Sequence, residues 1–150
     1  MIEKKNFYIN GKWVSPVKPN NFDVIDPSTE EAFAIISLGS VEDTDKAIDA
    51  AKKAFETWKE TTKEERLKLL QKFDEIYNRR WDEMVTAQSK EMGAPLDFAS
   101  ETHTKMGADI TKNIIKILKD FNFEHQFDVN SNNHIRHEPI GVCGLITPWN

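Results

Sequence analysis

The sequence predicts an α/β fold, and three observations carry that expectation. Short β-type runs divided by turn residues occupy the chain up to Gly39. Four stretches of helical periodicity then run from Ser40 to Phe121. Near the end, Val142 to Ile146 are apolar or small at every position, with no alternation. That is the pattern of a strand buried on both faces, as in a parallel sheet covered by helices.

Taken in order, Phe7-Tyr8-Ile9-Asn10-Gly11-Lys12-Trp13-Val14 predicts a β-hairpin. Asn-Gly supplies the two positive-φ residues that a type I′ turn needs, between aromatic flanks. Ser15 to Asn21 contains Pro16 and Pro19 and reads as a loop. A strand from Phe22 to Ile25, a turn at Asp26-Pro27-Ser28-Thr29 and a second strand from Ala32 to Leu38 follow.

Ser40 is a natural N-cap for the first helix, with Asp43 placed to complete a capping box. Ile48, Ala51, Phe55 and Trp58 recur at helical spacing and mark its expected buried face. A second helix opens at Thr62, again with a capping box through Glu65, and carries the stripe Leu67, Leu70, Phe73, Tyr77. The pattern breaks at Asn78-Arg79-Arg80. A third helix carries Trp81, Met84, Val85 and Met92 and stops at Gly93, with Pro95 beyond. The fourth is expected as one helix from about Asp97 to Phe121, deeply packed along Met106, Ile110, Ile114, Leu118 and Phe121, with Gly107 a place where it bends. The stripes do not hold one heptad register through the loops, which favours a bundle or sheet-covering core over a coiled-coil module. Phe123 to Asn133 is polar and Asn-rich, a connection; His134 to Glu138 alternates as a strand. Pro148 cannot donate to a ladder, so the last strand is expected to end by Thr147.

Several of these segments together resemble the aldehyde dehydrogenase superfamily. Arg136-His137-Glu138-Pro139-Ile140-Gly141-Val142, followed by Ile146-Thr147-Pro148-Trp149-Asn150, carries the likeness most specifically. Ile9-Asn10-Gly11 with Trp13, the Asp26–Glu31 turn and Glu91-Met92-Gly93-Ala94-Pro95 match in the same order. The turn departs from the family's Asn-Pro-x-Thr-Gly-Glu at Asp26 and at Glu30, where the family has glycine. The resemblance implies the N-terminal part of that fold: a hairpin and strands, about four helices, an oligomerisation arm, and the first strand of a Rossmann-like sheet. The implied division is 1–123, the N-terminal part of a dinucleotide-binding domain; 124–138, the arm; and 139–150, the first sheet strand. Because the family's chains are much longer, the sequence is expected to be an N-terminal portion of such a chain.

The resemblance also implies chemistry. A family member oxidises an aldehyde to a carboxylic acid with NAD or NADP through a cysteine thioester. Asn150 aligns with the asparagine whose side-chain amide steadies the alkoxide formed when the thiolate adds to the aldehyde. Ile146, Thr147, Pro148 and Trp149 align with residues lining the cofactor site. The family's nucleophilic cysteine and general-base glutamate belong to motifs not found in these 150 residues, so the chain alone is expected not to turn over aldehyde. A short interaction or scaffold protein derived from such an enzyme is the alternative. The expected partners are an aldehyde and further copies of the chain, as a homo-oligomer through the arm.

Other candidate sites are weaker. Cys143 lies inside the apolar run, where a thiol is ordinarily a small buried hydrophobe rather than a nucleophile. His134 and His137, three apart on a strand, are expected to diverge; His103 and His125 stand apart, and no metal is assigned. A net charge of −5 with interspersed signs argues against nucleic acid or an anionic membrane as partner. No segment approaches the ~20 apolar residues that span a bilayer. The N-terminus has no apolar signal region, and the lone cysteine forms no intrachain disulfide; a cytoplasmic setting is expected.

Overall fold

A computed structural model describes residues 1–129 and 132–147. The hairpin forms as read: β2 (Phe7–Ile9) pairs antiparallel with β3 (Lys12–Val14), and Asn10 and Gly11 both take positive φ, 52° and 73°. Ahead of it lies a strand that no sequence signal marks, β1 (Ile2–Lys4). It runs parallel to β5 (Glu31–Ser37), which also pairs antiparallel with β4 (Asn21–Asp26). β5 is therefore the centre of a β1-β5-β4 sheet, and it alone of the three buries residues fully, Ala34 and Ser37. Three residues of mixed polarity give β1 no periodicity to read; a free edge on β5 supplies the pairing.

The β4–β5 turn is built by Asp26. Its carbonyl accepts from Glu30 N–H at 2.8 Å and its carboxylate from Ser28 N–H at 2.9 Å. The turn closes with Glu30 at φ 60°, in the left-handed region, at the position where glycine was the expected residue.

The helical half follows its caps. α1 (Val41–Trp58) and α2 (Lys63–Arg79) both begin with complete capping boxes, Ser40 with Asp43 and Thr62 with Glu65. α3 (Trp81–Met92) begins directly after α2 at Arg80 and stops at Gly93, whose φ of 69° ends it in the left-handed conformation. The faces differ from expectation in part. On α1, Ile48 and Trp58 are exposed at 38% and 47%, so its stripe is only half covered.

The fourth helical stretch is three pieces rather than one. It runs α4 (Leu96–Phe98), a π-helical turn (Ala99–Thr104) and α5 (Lys105–Asp120). The wider π turn shifts the phase of the side chains that follow it. Met106, Ile110 and Ile114, expected to be deeply packed, are about half exposed, while Thr104 and Ala108 are buried. The buried face is small because α5 lies close against α2: a Cβ on Gly107 would stand 2.5 Å from the Tyr77 hydroxyl. Gly107 is thus a contact point, not a bend. Val85, Ala99, Thr104 and Ala108 form the core where α3 and α5 meet the π turn. Three hydrogen bonds tie it together. Tyr77 Oη donates to the Thr104 carbonyl, Thr104 Oγ1 to Gln88 Oε1, and Trp81 Nε1 to Ser100 Oγ, each at 3.1 Å.

Beyond α5, β6 (Glu124–Gln126) pairs antiparallel with β7 (His134–Arg136) in a two-stranded ribbon. β7 is shorter than the expected His134–Glu138, and β6 falls inside the stretch expected to be a connection. Its Glu-His-Gln sequence has no apolar signal; backbone pairing alone makes it a strand.

The Val142–Ile146 expectation is corrected. Residues 141–147 form no strand, and Leu145 and Ile146 are 89% and 97% exposed rather than buried on both faces. A strand exists through its ladder, and among the described residues none lies paired alongside this one. The apolar composition is present, but nothing described covers it.

Candidate functional site

The five positions singled out for cofactor and substrate are not brought together by the described structure. Ile146 and Thr147 are exposed and outside any regular element. Pro148, Trp149 and Asn150 lie outside the described residues. Upstream, the Arg-His-Glu-Pro motif is anchored by local bonds. His137 N–H donates to the Phe123 carbonyl at 2.7 Å, and Arg136 Nε lies 3.4 Å from Glu138 Oε1 and 4.0 Å from Glu124 Oε2. Arg136 thus stands between Glu138 and Glu124 at the exposed strand end of the ribbon.

Cys143 is also corrected. It is exposed rather than buried, and its thiol donates to the Gly141 carbonyl at 3.7 Å. Among the described residues no base stands in hydrogen-bond contact with it.

The imidazoles part as expected for His134, which faces Glu124 at 3.8 Å, and His137, which packs on the Phe121 ring at 5.4 Å. His125 and His103 are not isolated, however. His125 stacks on His137 with ring centroids 5.9 Å apart, and His103 meets Phe98 edge-on at 5.0 Å. Among the described residues no group of three His, Cys, Asp or Glu side chains is placed to hold a metal ion. No described helix is long and apolar enough to cross a membrane.

Glu91-Met92-Gly93-Ala94-Pro95 joins the two halves of the fold. Ser89 Oγ donates to the Ala94 carbonyl at 2.7 Å, and a Cβ on Gly93 would stand 3.2 Å from Pro27 Cβ. The helix end sits against the Asp26–Glu31 turn, so two of the segments that carried the resemblance meet in space.

Several carboxylates are perturbed by hydrogen bonds that hold the fold together. The Ser40 backbone N–H, then the Val17 N–H at 2.9 Å, hold Asp43 below its ordinary range, which ties the Ser15–Asn20 loop to the start of α1. The Ser28 hydroxyl does the same for Asp26, and the Thr62 N–H for Glu65.

One concavity has no counterpart among the sequence-based expectations. A cleft of about 810 Å³ opens where the ends of α1, α2 and α5 meet the base of the ribbon. Arg66 reaches it from α2, its guanidinium carbon 4.7 Å from the Phe123 ring centroid, and Phe121 packs edge-on against Phe123 at 4.8 Å. No periodicity connects residues this far apart in sequence.

Comparison with known proteins places this arrangement. The model of the Aldehyde dehydrogenase family matches residues 13–150. A 3-succinoylsemialdehyde-pyridine dehydrogenase from a Pseudomonas species is 39% identical over 151 residues, covering 100% of this chain and 31% of the relative. The crystal structure of an aldehyde dehydrogenase from Bartonella henselae superimposes with a TM-score of 0.86 at 49% identity, over 88% of this chain and 28% of that one. A mutant of aldehyde dehydrogenase C from Pseudomonas syringae, solved with NAD+ and octanal, gives a TM-score of 0.91 at 36% identity, over 97% and 29%. The chain thus spans about a third of the length of the relatives it matches.

Proposed function

Because the chain belongs to the aldehyde dehydrogenase family, we propose that it serves the NAD(P)+-dependent oxidation of an aldehyde to a carboxylic acid. The reaction passes through a cysteine thioester in a chain of the relatives' length, and these 150 residues alone do not turn over. The observation that carries this reading is the likeness, at 36% identity and a TM-score of 0.91, to an enzyme crystallised with NAD+ and octanal.

Within that reading each residue has its own part. Asn150 offers its side-chain amide to the alkoxide that forms as the thiolate adds, a fixed donor where charge develops. Ile146, Thr147, Pro148 and Trp149 form one wall of the cofactor cleft. The described pair suits such a wall. Ile146 presents uncovered apolar surface fit for a flat ring, and Thr147 beside it adds a hydroxyl. The dinucleotide, when bound, supplies the oxidising equivalent. The division at 1–123, 124–138 and 139–150 belongs to the same proposal, with the ribbon as an arm that pairs with another copy. Among the described residues no third strand is added to the ribbon's two, which is consistent with such pairing.

The test has two parts. The 150-residue chain, assayed with octanal and NAD+ or NADP+, is expected to form no reduced cofactor; measurable turnover contradicts the division of labour. In a longer chain carrying the family's later motifs, Asn150→Ala is expected to lower kcat by roughly 10²–10³ with KM little changed. An unchanged kcat removes Asn150 from the mechanism.

A second reading rests on the exposed ridge of α5, where Met106, Ile110, Ile114 and Ile117 are each about half exposed. It makes the chain an interaction piece for longer relatives. Mixing with such a relative on a size-exclusion column supports it if the two co-elute and dismisses it if the elution volumes stay unchanged.

A further inference from the structure

The cleft beside the ribbon is lined by neither Ile146 nor Thr147, and its charges are unevenly satisfied. Lys59 lies 3.9 Å from Glu60, and Arg136 is shared between Glu138 and Glu124. Arg66 differs. Among the described residues no carboxylate oxygen comes within ion-pair distance of it, and its Nε–H points to the Thr62 carbonyl at 3.4 Å. The residue is half-buried, and one flat face of its guanidinium is taken by the Phe123 ring at 4.7 Å. The Nη edge is therefore the part left to recognise a ligand.

A guanidinium held by its face and open at its edge suits a planar two-oxygen anion, which it grips with parallel N–H donors. Around it the cleft is aromatic: Phe55, Phe121 and Phe123 line it, and Phe121 and Phe123 already make an edge-to-face pair. The volume of about 810 Å³ lies within the usual range for small-ligand sites. The lining carboxylates Glu60, Glu124 and Glu138 set the charge limit. The lining sets three cations, Lys59, Arg66 and Arg136, against those three carboxylates, and of the cations Arg66 alone has no carboxylate within ion-pair distance among the described residues; it can receive one negative charge, whereas a multiply charged phosphate meets the three glutamates.

We propose that this cleft binds an aryl carboxylate, with Arg66 receiving the carboxylate and the phenylalanines receiving the ring. The inference is independent of the oxidation proposed above. Its test is isothermal titration of 2-naphthoate into the 150-residue chain, with 2-naphthamide as the uncharged counterpart and AMP as the phosphate counterpart. Saturable one-site binding of naphthoate is expected. Arg66→Gln is expected to weaken it by about tenfold or more, the loss of a charge-assisted hydrogen-bond pair. Naphthamide with the unaltered chain is expected to show a similar loss, and this decides the matter even if the variant fails to fold. No saturable heat with naphthoate, equal affinity for naphthamide, or tighter binding of AMP would each overturn the assignment.

Discussion

Two apolar regions of this chain meet opposite fates. Around the π turn, Val85, Ala99, Thr104 and Ala108 are buried almost completely, and the buried polar side chains there have partners. In 141–147, residues at least as apolar stand in solvent, with Leu145 at 89% and Ile146 at 97% exposure. The difference is not in hydrophobicity. Small side chains let α5 approach α2 until Gly107 touches Tyr77, so burial there is completed by elements within the chain. The 141–147 segment has composition without a partner: no described strand pairs with it and no described helix lies over it. Apolarity states a demand for cover; a fold exists only where something meets that demand.

The contrast breaks most severely at Gly107. Gly107→Val places a side chain within 2.5 Å of the Tyr77 hydroxyl and is expected to cost about 1–3 kcal/mol by overpacking. Urea unfolding measures it, and adding Tyr77→Phe is expected to return part of the loss. An unchanged midpoint for the single variant would mean that α5 does not lean on α2 as described.

Next come the caps that start the helices. Ser40→Ala removes the acceptor for Asp43 N–H and is expected to cost about 1 kcal/mol in the same assay. Asp43 adds a pH dependence whose sign follows from its hydrogen bonds. The Ser40 and Val17 N–H groups lower its folded value below the ordinary 3.8. The stability it contributes is thus present above that ordinary value and is lost as pH falls through the lower, folded one. Asp43→Asn is expected to unfold at lower temperature near neutrality, with the gap from the parent closing as the solution is acidified below the ordinary carboxylate range. A gap that stays constant with pH would contradict this.

The smaller effects sharpen the comparison. Glu30 holds φ 60° where glycine would be at ease, so Glu30→Gly is expected to stabilise by roughly 0.5 kcal/mol, the left-handed strain relieved less the added chain entropy. A fall in stability would mean the Glu30 side chain matters to the turn. Ile146→Ser, in the uncovered segment, is expected to shift the unfolding midpoint by no more than about 0.5 kcal/mol, the range of ordinary surface changes. A larger loss would place Ile146 against the folded body.

What was legible in the sequence was whatever is decided locally. Both capping boxes, the Asn10-Gly11 turn and the Gly93 stop stand where the residues demanded, because each is settled within a few positions. The resemblance that Arg136 to Val142 bear to the family was legible too, and the family model's match over residues 13–150 agrees with it. Illegible were features set at long range. β1 depends on a free edge of β5, and β6 on pairing with β7. The π turn interrupts the fourth helical stretch, and burial there falls on Thr104 and Ala108 rather than on Met106, Ile110 and Ile114. The Arg66–Phe123 contact joins residues far apart in sequence. Ile146 and Thr147, proposed for the cofactor wall, were named through the family resemblance, and local signals could not show that they would lie exposed and unpaired.

Backbone hydrogen exchange on the 150-residue chain tests the central contrast most directly. The amides of Ala108 to Leu118 in α5 are expected to be protected, and those of Val142 to Thr147 to exchange at the rate of an open chain. Comparable protection in the two segments would show that the terminal apolar run is paired after all, and would contradict the division between a covered core and an uncovered end.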